Sequence, residues 1–418
     1  MTALRTQTEA PVGVVAVPGL SAHIRAYIRR VRGGDMGALP AVLGIVFLVA
    51  GFAIVRPVFL TPGNFANLLP QGAAVTIIAM GLVFVLLLGE IDLSAGFTSG
   101  VCAALMAVLM ADLGVAWYYA IAVAIATGVT IGLLLGTLVA KIGIPSFVVT
   151  LGAFLAFQGV LLLVVKEGQI VSIHDEVILW IGNEQLPVWL GWAFYVLMVA
   201  GYGAVQLRRL VVRRARRLSH DPISLIVMRL AGLALIGGIA VYVLNLERSR
   251  NPQLVSLRGV PVVVPIVVIL LVLLTFVLHR TRYGLHLYAV GGNLEAARRA
   301  GIATDRLRIS AFVVCSTLAA VGGIVAASRA NSVDANTGGS DVLLYAVGAA
   351  VIGGTSLFGG KGRVLDAVLG GLVVAIIDNG MGLLGSKAWL KYVVTGCVLL
   401  AAAGVDALSR RRSAAGLR

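Results

Sequence analysis

The chain has 418 residues, 59% of them hydrophobic and only 12% charged, with a mean hydropathy of +1.00. That composition excludes a soluble globular protein, in which charged residues make up about a quarter of the total. The formal net charge of +15 would suit nucleic acid, but the basic residues sit in short segments between apolar runs, which is the footprint of membrane orientation, so no nucleic-acid partner is expected.

The apolar runs are about 17–25 residues long, the length of a membrane-crossing helix. Lipid admits only helices and closed barrels, and barrels read as weak alternation. An all-α, polytopic transmembrane bundle is therefore expected. Residues 1–38 form a tail with a basic stretch from Arg25 to Arg32. A cleaved signal peptide would have a shorter apolar core and a small-residue cleavage site, so the run that follows reads as an uncleaved first span behind a cytoplasmic tail. The membrane domain is expected to fill 39–408, with spans near 39–56, 71–89, 94–112, 116–140, 146–165, 188–207, 223–245, 261–279, 307–329, 341–358, 364–383 and 391–408. A basic cytoplasmic tail, 409–418, ends it.

Gly89-Glu90-Ile91-Asp92-Leu93-Ser94 places two carboxylates between the second and third spans. They are either a polar turn in which Asp92 or Ser94 caps the next helix, or acids that pair with basic groups beside a transport path or an ATPase contact. In the fourth span Gly128, Gly132 and Gly136 repeat every fourth residue, a face for close helix contact unless it reflects only the general abundance of 51 glycines. The fifth span opens on Pro145-Ser146-Phe147, and Thr150 and Gln158 continue a polar stripe. Residues 166–187 read as a modest outer segment. Segment 208–217 is a polybasic cytoplasmic loop, read as a topology anchor at anionic headgroups.

Between the eighth and ninth spans, Gly292-Asn293-Leu294-Glu295-Ala296-Ala297-Arg298-Arg299-Ala300-Gly301 reads as a short polar helix. Asn293 suits the N-cap and Gly301 the C′ position. Glu295 near the start and Arg298 and Arg299 near the end match the helix dipole. It is either a solvated loop helix or a docking element. Further on, Gly353 to Gly362 tempts comparison with a phosphate-binding loop, but the positions that should hold Gly and Ser/Thr around Lys361 are Thr355 and Gly362. Asp378-Asn379-Gly380 interrupts the eleventh span; these side chains should face the bundle interior, to line a path or to make a structural hydrogen bond. Cys102, Cys315 and Cys397 lie in apolar runs and imply no disulfide framework.

With the N-terminus inside, 24 Lys and Arg fall on the cytoplasmic side and 8 outside, while Arg229 lies within a span. The three-to-one bias places both termini and the Glu295 helix in the cytoplasm. An enzyme is disfavoured: a nucleophile at Ser356 would need His279 or His286 as base, and both are in or beside a cytoplasmic loop, nor is there a His-Glu-x-x-His zinc site.

These pieces resemble a monosaccharide importer permease of the ATP-binding-cassette class, of the ribose/xylose group. The resemblance rests on Asn64–Leu69 with its Phe59-Leu60-Thr61-Pro62 lead, Gly89–Ser94, Pro145–Gly152, Tyr283–Gly301, Ala350–Gly360 and Asp378–Leu384, over about 40–405. Asp378 stands where the group usually has Asn, and the Glu295-Ala296-Ala297 loop lacks the Leu-Pro that ends the longer form of that motif. The helices in 188–245 look like an inserted pair typical of xylose-type permeases. The resemblance implies the ribose/vitamin-B12 type of permease fold and a homodimeric core in the bacterial inner membrane. Separate ATP-binding subunits would dock on the coupling loop 280–306, through Asn293, Glu295, Ala296, Ala297 and Gly301. A periplasmic or lipid-anchored sugar-binding protein would dock outside. This chain would bind no cofactor, since ATP is used by the partner subunit. Glu90, Asp92, Ser94, Gln158, Asp378 and Asn379 are the residues expected to line the path or the polar interior. The alternative is an ion- or proton-coupled secondary transporter, in which Glu90, Asp92 and Asp378 would carry the coupling.

Overall fold

The computed structural model describes residues 37–216, 222–249, 251–253 and 256–415, with Arg25 and Arg29. For 402, 403 and 405–415 it describes the backbone alone. The expected 1–38 tail, apart from Gly37, Ala38 and those two arginines, and the last three residues of the 409–418 tail lie outside the described residues.

Among the described residues from Gly37 onward, fifteen α-helices follow in chain order: α1 (Leu39–Val55), α2 (Pro62–Leu87), α3 (Ala95–Ala111), α4 (Trp117–Thr137, continued by a π turn Leu138–Ile142), α5 (Ser146–Val165), α6 (Glu176–Asn183), α7 (Val188–Ala215), α8 (Ile223–Leu244), α9 (Val263–Arg280), α10 (Arg282–Gly292), α11 (Leu294–Arg299), α12 (Thr304–Ala330), α13 (Ser340–Gly353), α14 (Val364–Leu383) and α15 (Ala388–Ala415). Among the described residues eight helices are long and apolar enough to cross a membrane: α2, α4 with its π turn, α5, α7, α8, α9, α12 and α14. The other four expected spans coincide with shorter apolar helices: α1, α3, α13 and residues 388–401 of α15.

Helices α2 and α12 form the centre. Ile77, Ile78, Met80, Leu82 and Phe84 of α2 and Phe312 of α12 are fully buried. Helix α12 packs on α2, α3 and α4, and α14 packs on α2 and α13. Lipid tails are as apolar as leucine, so close backbone approach must hold such helices together. The α4 glycines supply it: a Cβ on Gly132 would stand 2.5 Å from Val313 Cα, and one on Gly136 2.7 Å from Ile309 Cα. A Cβ on Gly128 would meet the Ser316 carbonyl at 2.8 Å.

Four expectations change. Helix α2 begins at Pro62 rather than near 71, with Thr61 Oγ1 accepting the Asn64 N–H at 3.3 Å, and Pro70 lies inside it. Pro62 at the first turn costs no hydrogen bond, which favours the earlier start. The 208–217 segment is no loop up to residue 215: α7 runs unbroken to Ala215, because its arginines and valines contain no helix breaker. Segment 280–306 holds a second helix, α10, capped by Thr281. The 166–187 segment, expected outside, holds α6 and a strand β1 (Ile170–Ser172), antiparallel to β2 (Ser332–Asp334) with Ile170 opposite Asp334; this small pairing and an isolated bridge between Gln185 and Pro261 are the departures from an all-α chain among the described residues.

Helices α7 and α8 pack chiefly on each other and bury only Gly191, Leu210, Leu225 and Leu244. The Tyr195 hydroxyl donates to the Ala234 carbonyl at 2.7 Å and ties the pair. The turn that leaves α8 wraps the Glu247 carboxylate, which accepts from the Ser249 and Leu257 N–H groups, the Ser256 hydroxyl and Arg258 Nε at 2.7–3.0 Å. These donors, Ser249 foremost, hold its carboxyl down to about 2.

Candidate functional site

The α11 helix is built as its residues dictate. Asn293 Oδ1 accepts the Ala296 N–H at 2.9 Å, closing the N-terminus. At the other end Gly301 (φ +80°) donates its N–H to the Arg298 carbonyl at 3.0 Å, and Ile302 donates to Ala297 at 3.1 Å. This pair of bonds is a Schellman termination, which needs the left-handed backbone that glycine adopts without strain. Glu295 pairs with Arg299 at 3.3 Å along the helix, and Arg298 reaches Asp305 of α12 at 3.8 Å. Asn293, Leu294, Glu295, Ala296, Arg298 and Arg299 are exposed, whereas Ala297 is buried with Val290 and Leu307. The helix is thus fastened on its inner side by buried Ala297 and by the Arg298–Asp305 pair, and its outer face is exposed. A cleft of about 330 Å³ beside it is lined by Tyr283, His286, Ala303, Arg306, Leu307 and Ser310. Ser310 donates to the Tyr283 hydroxyl at 3.1 Å, and burial pushes that phenol above its ordinary pKa.

Beneath α11 three segments meet. Helix α2 ends in a second Schellman motif, with Gly89 (φ +74°) donating to Leu86 at 2.9 Å and Glu90 to Val85 at 3.2 Å. Arg308 Nε donates to Glu90 Oε1 at 2.8 Å, and both side chains are largely buried, at 18% and 15% exposure. Asp92 Oδ1 accepts both the N–H and the hydroxyl of Ser94, at 2.9 and 2.7 Å, so the acid organises the turn into α3 and Ser94 makes no cap of its own. Ser146 and Thr150 of α5 hold Ile91 in the same turn, each at 3.3 Å. The glycine-rich 353–362 break closes over the end of α2: the Gly360 N–H donates to the Leu87 carbonyl at 2.8 Å, and the Tyr288 hydroxyl to Gly362 at 2.7 Å. Burial, reinforced by the Asp366 charge, pushes the Tyr288 phenol up to about 12, so it serves as a neutral donor.

At the other end of α2, Asn379 is buried against Asn64 and Gln71. Its Nδ2 donates to Asn64 Oδ1 and to Gln71 Oε1, both at 3.0 Å, and its Oδ1 accepts from Asn64 Nδ2 at 2.9 Å. Asp378, one residue back, points elsewhere and pairs with Lys391, whose ammonium lies 5.8 Å from the Tyr345 ring centre. Tyr392 donates to Asp341 at 2.6 Å beside them. Gln158 joins neither group: it is exposed on α5, where Phe147, Leu151 and Leu155 are exposed as well.

The expected path residues therefore do not converge. Glu90, Asp92 and Ser94 lie roughly 30–40 Å along α2 from the Asn379 network. Asn64, Gln71, Arg308, Lys391 and Tyr345 are partners that reading the sequence does not single out. For Asn64 and Gln71 a signal exists, since polar residues seven apart share one face of an otherwise apolar helix. Among the described residues no three His, Cys, Asp or Glu side chains stand together as a metal site.

A bundle of apolar helices, with its polar groups gathered at the two ends of a central pair and a capped helix presented at one end, defines a multi-pass membrane permease. Residues 64–403 match the family described as the permease component of branched-chain amino acid transport systems, and the chain belongs to that family. It is 35% identical to the xylose transport system permease protein of Escherichia coli (strain K12), over 85% of this chain and 87% of that one. It is 32% identical to the protein of the same description from Haemophilus influenzae, over 88% and 96% of the two chains. Identity to the ribose import permease protein of Bacillus subtilis is 31%, over 91% and 95%. No solved structure matches the chain.

Proposed function

We propose that this chain is the membrane-spanning subunit of an ATP-binding-cassette importer that carries a monosaccharide, a pentose such as xylose or a related sugar, across the bacterial inner membrane. In this reading it crosses twelve times with both termini inside and works as a homodimer. ATP is bound and hydrolysed by separate subunits, and a periplasmic or lipid-anchored binding protein delivers the sugar. The observation that carries the proposal is α11: a helix of six residues, capped at both ends, with all but Ala297 exposed. A loop with nothing to dock would not need two caps. Its flanking cleft and its two exposed arginines suit a groove with acidic rims on a partner. The xylose and ribose descriptions of the relatives supply the substrate class.

A secondary transporter needs carboxylates free to exchange a proton or a sodium ion. Here Glu90 is paired with Arg308 and Asp378 with Lys391, which weighs against that role for these two, while Asp92 is buried and bonded through Oδ1 to Ser94 in the turn into α3. The test is uptake of labelled xylose and ribose by proteoliposomes holding the chain with its ATPase subunits and binding protein. Uptake should require internal or external ATP on the ATPase side, and Glu295→Lys or Gly301→Val should abolish stimulation of ATP hydrolysis. Uptake by the chain alone, driven by a proton or sodium gradient, would refute the importer reading.

A further inference from the structure

We infer that the Glu90–Arg308 pair is the mechanical link that makes the α2–α3 turn and the start of α5 follow the coupling helix α11; this rests on the importer reading above. Three observations combine. First, α11 and the beginning of α12 are one body: the Schellman bonds at Gly301 and Ile302, the Arg298–Asp305 pair and the buried Ala297–Leu307 contact leave little freedom between them. Arg308 stands one turn into that body, four residues beyond Thr304. Second, Glu90 has no slack of its own. It is the last residue of the Schellman motif that ends α2, so its backbone is fixed by the bond to Val85. Leu88 packs into the same small cluster as Ala297 and Leu307. Third, the turn carrying Glu90 is bonded to α5 through Ser146 and Thr150. The α5 helix buries only a narrow face in this chain, with Phe147, Leu151 and Leu155 exposed, so it is free to shift when its first turn is pulled.

A displacement of α11 by an ATPase subunit is thus transmitted to Arg308 within a rigid unit, across the charge-assisted bond to Glu90, and from Ile91 to α5. The bond matters because it is directional and desolvated. Arg308 grips the one oxygen Oε1 of Glu90 with both Nε and Nη2, a charge-assisted contact stronger than a neutral hydrogen bond. Apolar contact through Leu88 alone would let the turn slip. Glu90 and Arg308 are positioning residues: they are assigned no contact with sugar or with ATP.

The test uses the complete importer in proteoliposomes and reads sugar taken up per ATP hydrolysed. The wild-type ratio is read first, and absence of ATP-driven uptake there refutes the importer reading and this inference with it. Given a working wild type, Glu90→Gln and Arg308→Gln should each lower the ratio on the order of tenfold, while hydrolysis stays within about twofold of wild type. The exchanged pair, Glu90→Arg with Arg308→Glu, should recover most of the ratio, because it restores the bond with its charges reversed. Single variants with a wild-type ratio would overturn the assignment. So would an exchanged pair that assembles with its ATPase subunits yet stays uncoupled, or one that does not assemble, since a pair needed only with its native charges is a structural pin.

Discussion

Replacing Asn379 by leucine removes three hydrogen bonds at once, two to Asn64 and one to Gln71, from the contact between α14 and α2. Leucine keeps the branched four-heavy-atom outline of asparagine, with bulkier methyl groups in place of the amide oxygen and nitrogen, so the change chiefly deletes polarity. Interhelical hydrogen bonds within membranes contribute about 0.6 kcal/mol each on average, and at most about 1.7. Three therefore contribute about 2 kcal/mol. Asn64 keeps one partner, the Phe59 carbonyl at 3.0 Å, but its Oδ1 loses its donor in a buried position. The assay is a double-mutant cycle with Asn64→Leu, read as equilibrium unfolding in mixed micelles. Each single variant should lose about 2 kcal/mol, and the pair should lose less than the sum by about 1 kcal/mol, because the two shared bonds can be lost only once. Sugar uptake by Asn379→Leu should fall further than its amount in the membrane, since the tie between α2 and α14 sets the shape of that end of the bundle. Additivity to within about 0.5 kcal/mol, together with undiminished uptake, would refute the reasoning.

Gly132→Leu should sharply reduce the yield of monodisperse protein, because its Cβ would lie 2.5 Å from the Val313 backbone, whereas Gly152→Leu, with nothing within 4 Å, should be neutral; equal yields on size-exclusion chromatography would discount the α4–α12 contact. The Glu247 turn should loosen in acid. Its carboxyl is held at about 2 against an ordinary 4.5, so its contribution is complete above the higher value and lost as pH falls toward the lower; hydrogen exchange at residues 247–258, corrected for intrinsic rate, should rise over that window in the wild type and already be high in Glu247→Gln. In a Cys397→Ser background, Arg216→Cys and Gln253→Cys should react with an impermeant maleimide from opposite sides of the membrane, and labelling from one side would remove α8 from the spanning set.

The apolar runs made the helices legible, because lipid forces each span to satisfy its own backbone and leaves a long hydrophobic signature. Both α11 caps were legible for a related reason: Asn293 and Gly301 act on bonds within four residues. Ends without such local chemistry were not. The arginines after 208 announce a change of medium, not the end of a helix, so α7 continues through them. Pro70 lies inside α2, and the N–H it lacks is tolerated where packing against α14 holds the turn. The pairings were least legible. Glu90 and Arg308 are 218 residues apart and Asn379 and Asn64 are 315 apart, and no local pattern links them. Composition says only that such groups must find partners; which partners is decided by how α2, α12 and α14 cross.

Helix α12 runs without interruption for 27 residues, about 40 Å, from beside α11 to beside α6. Near its far end the Ser328 hydroxyl accepts the Gly182 N–H at 2.7 Å, and Asn183 donates to the Ser328 carbonyl at 2.7 Å, so α6 is fastened to it as firmly as α11 is at the near end. A rod gripped at both ends has no preferred direction of signalling. Binding free energies linked through it obey reciprocity: if a partner seated outside tightens the grip of a partner inside by some factor, the inner partner tightens the outer by the same factor. In the importer reading proposed above, occupancy at the α11 end and occupancy at the α6 end are linked by one coupling free energy, and nucleotide on one side should be measurable as a change in protein affinity on the other.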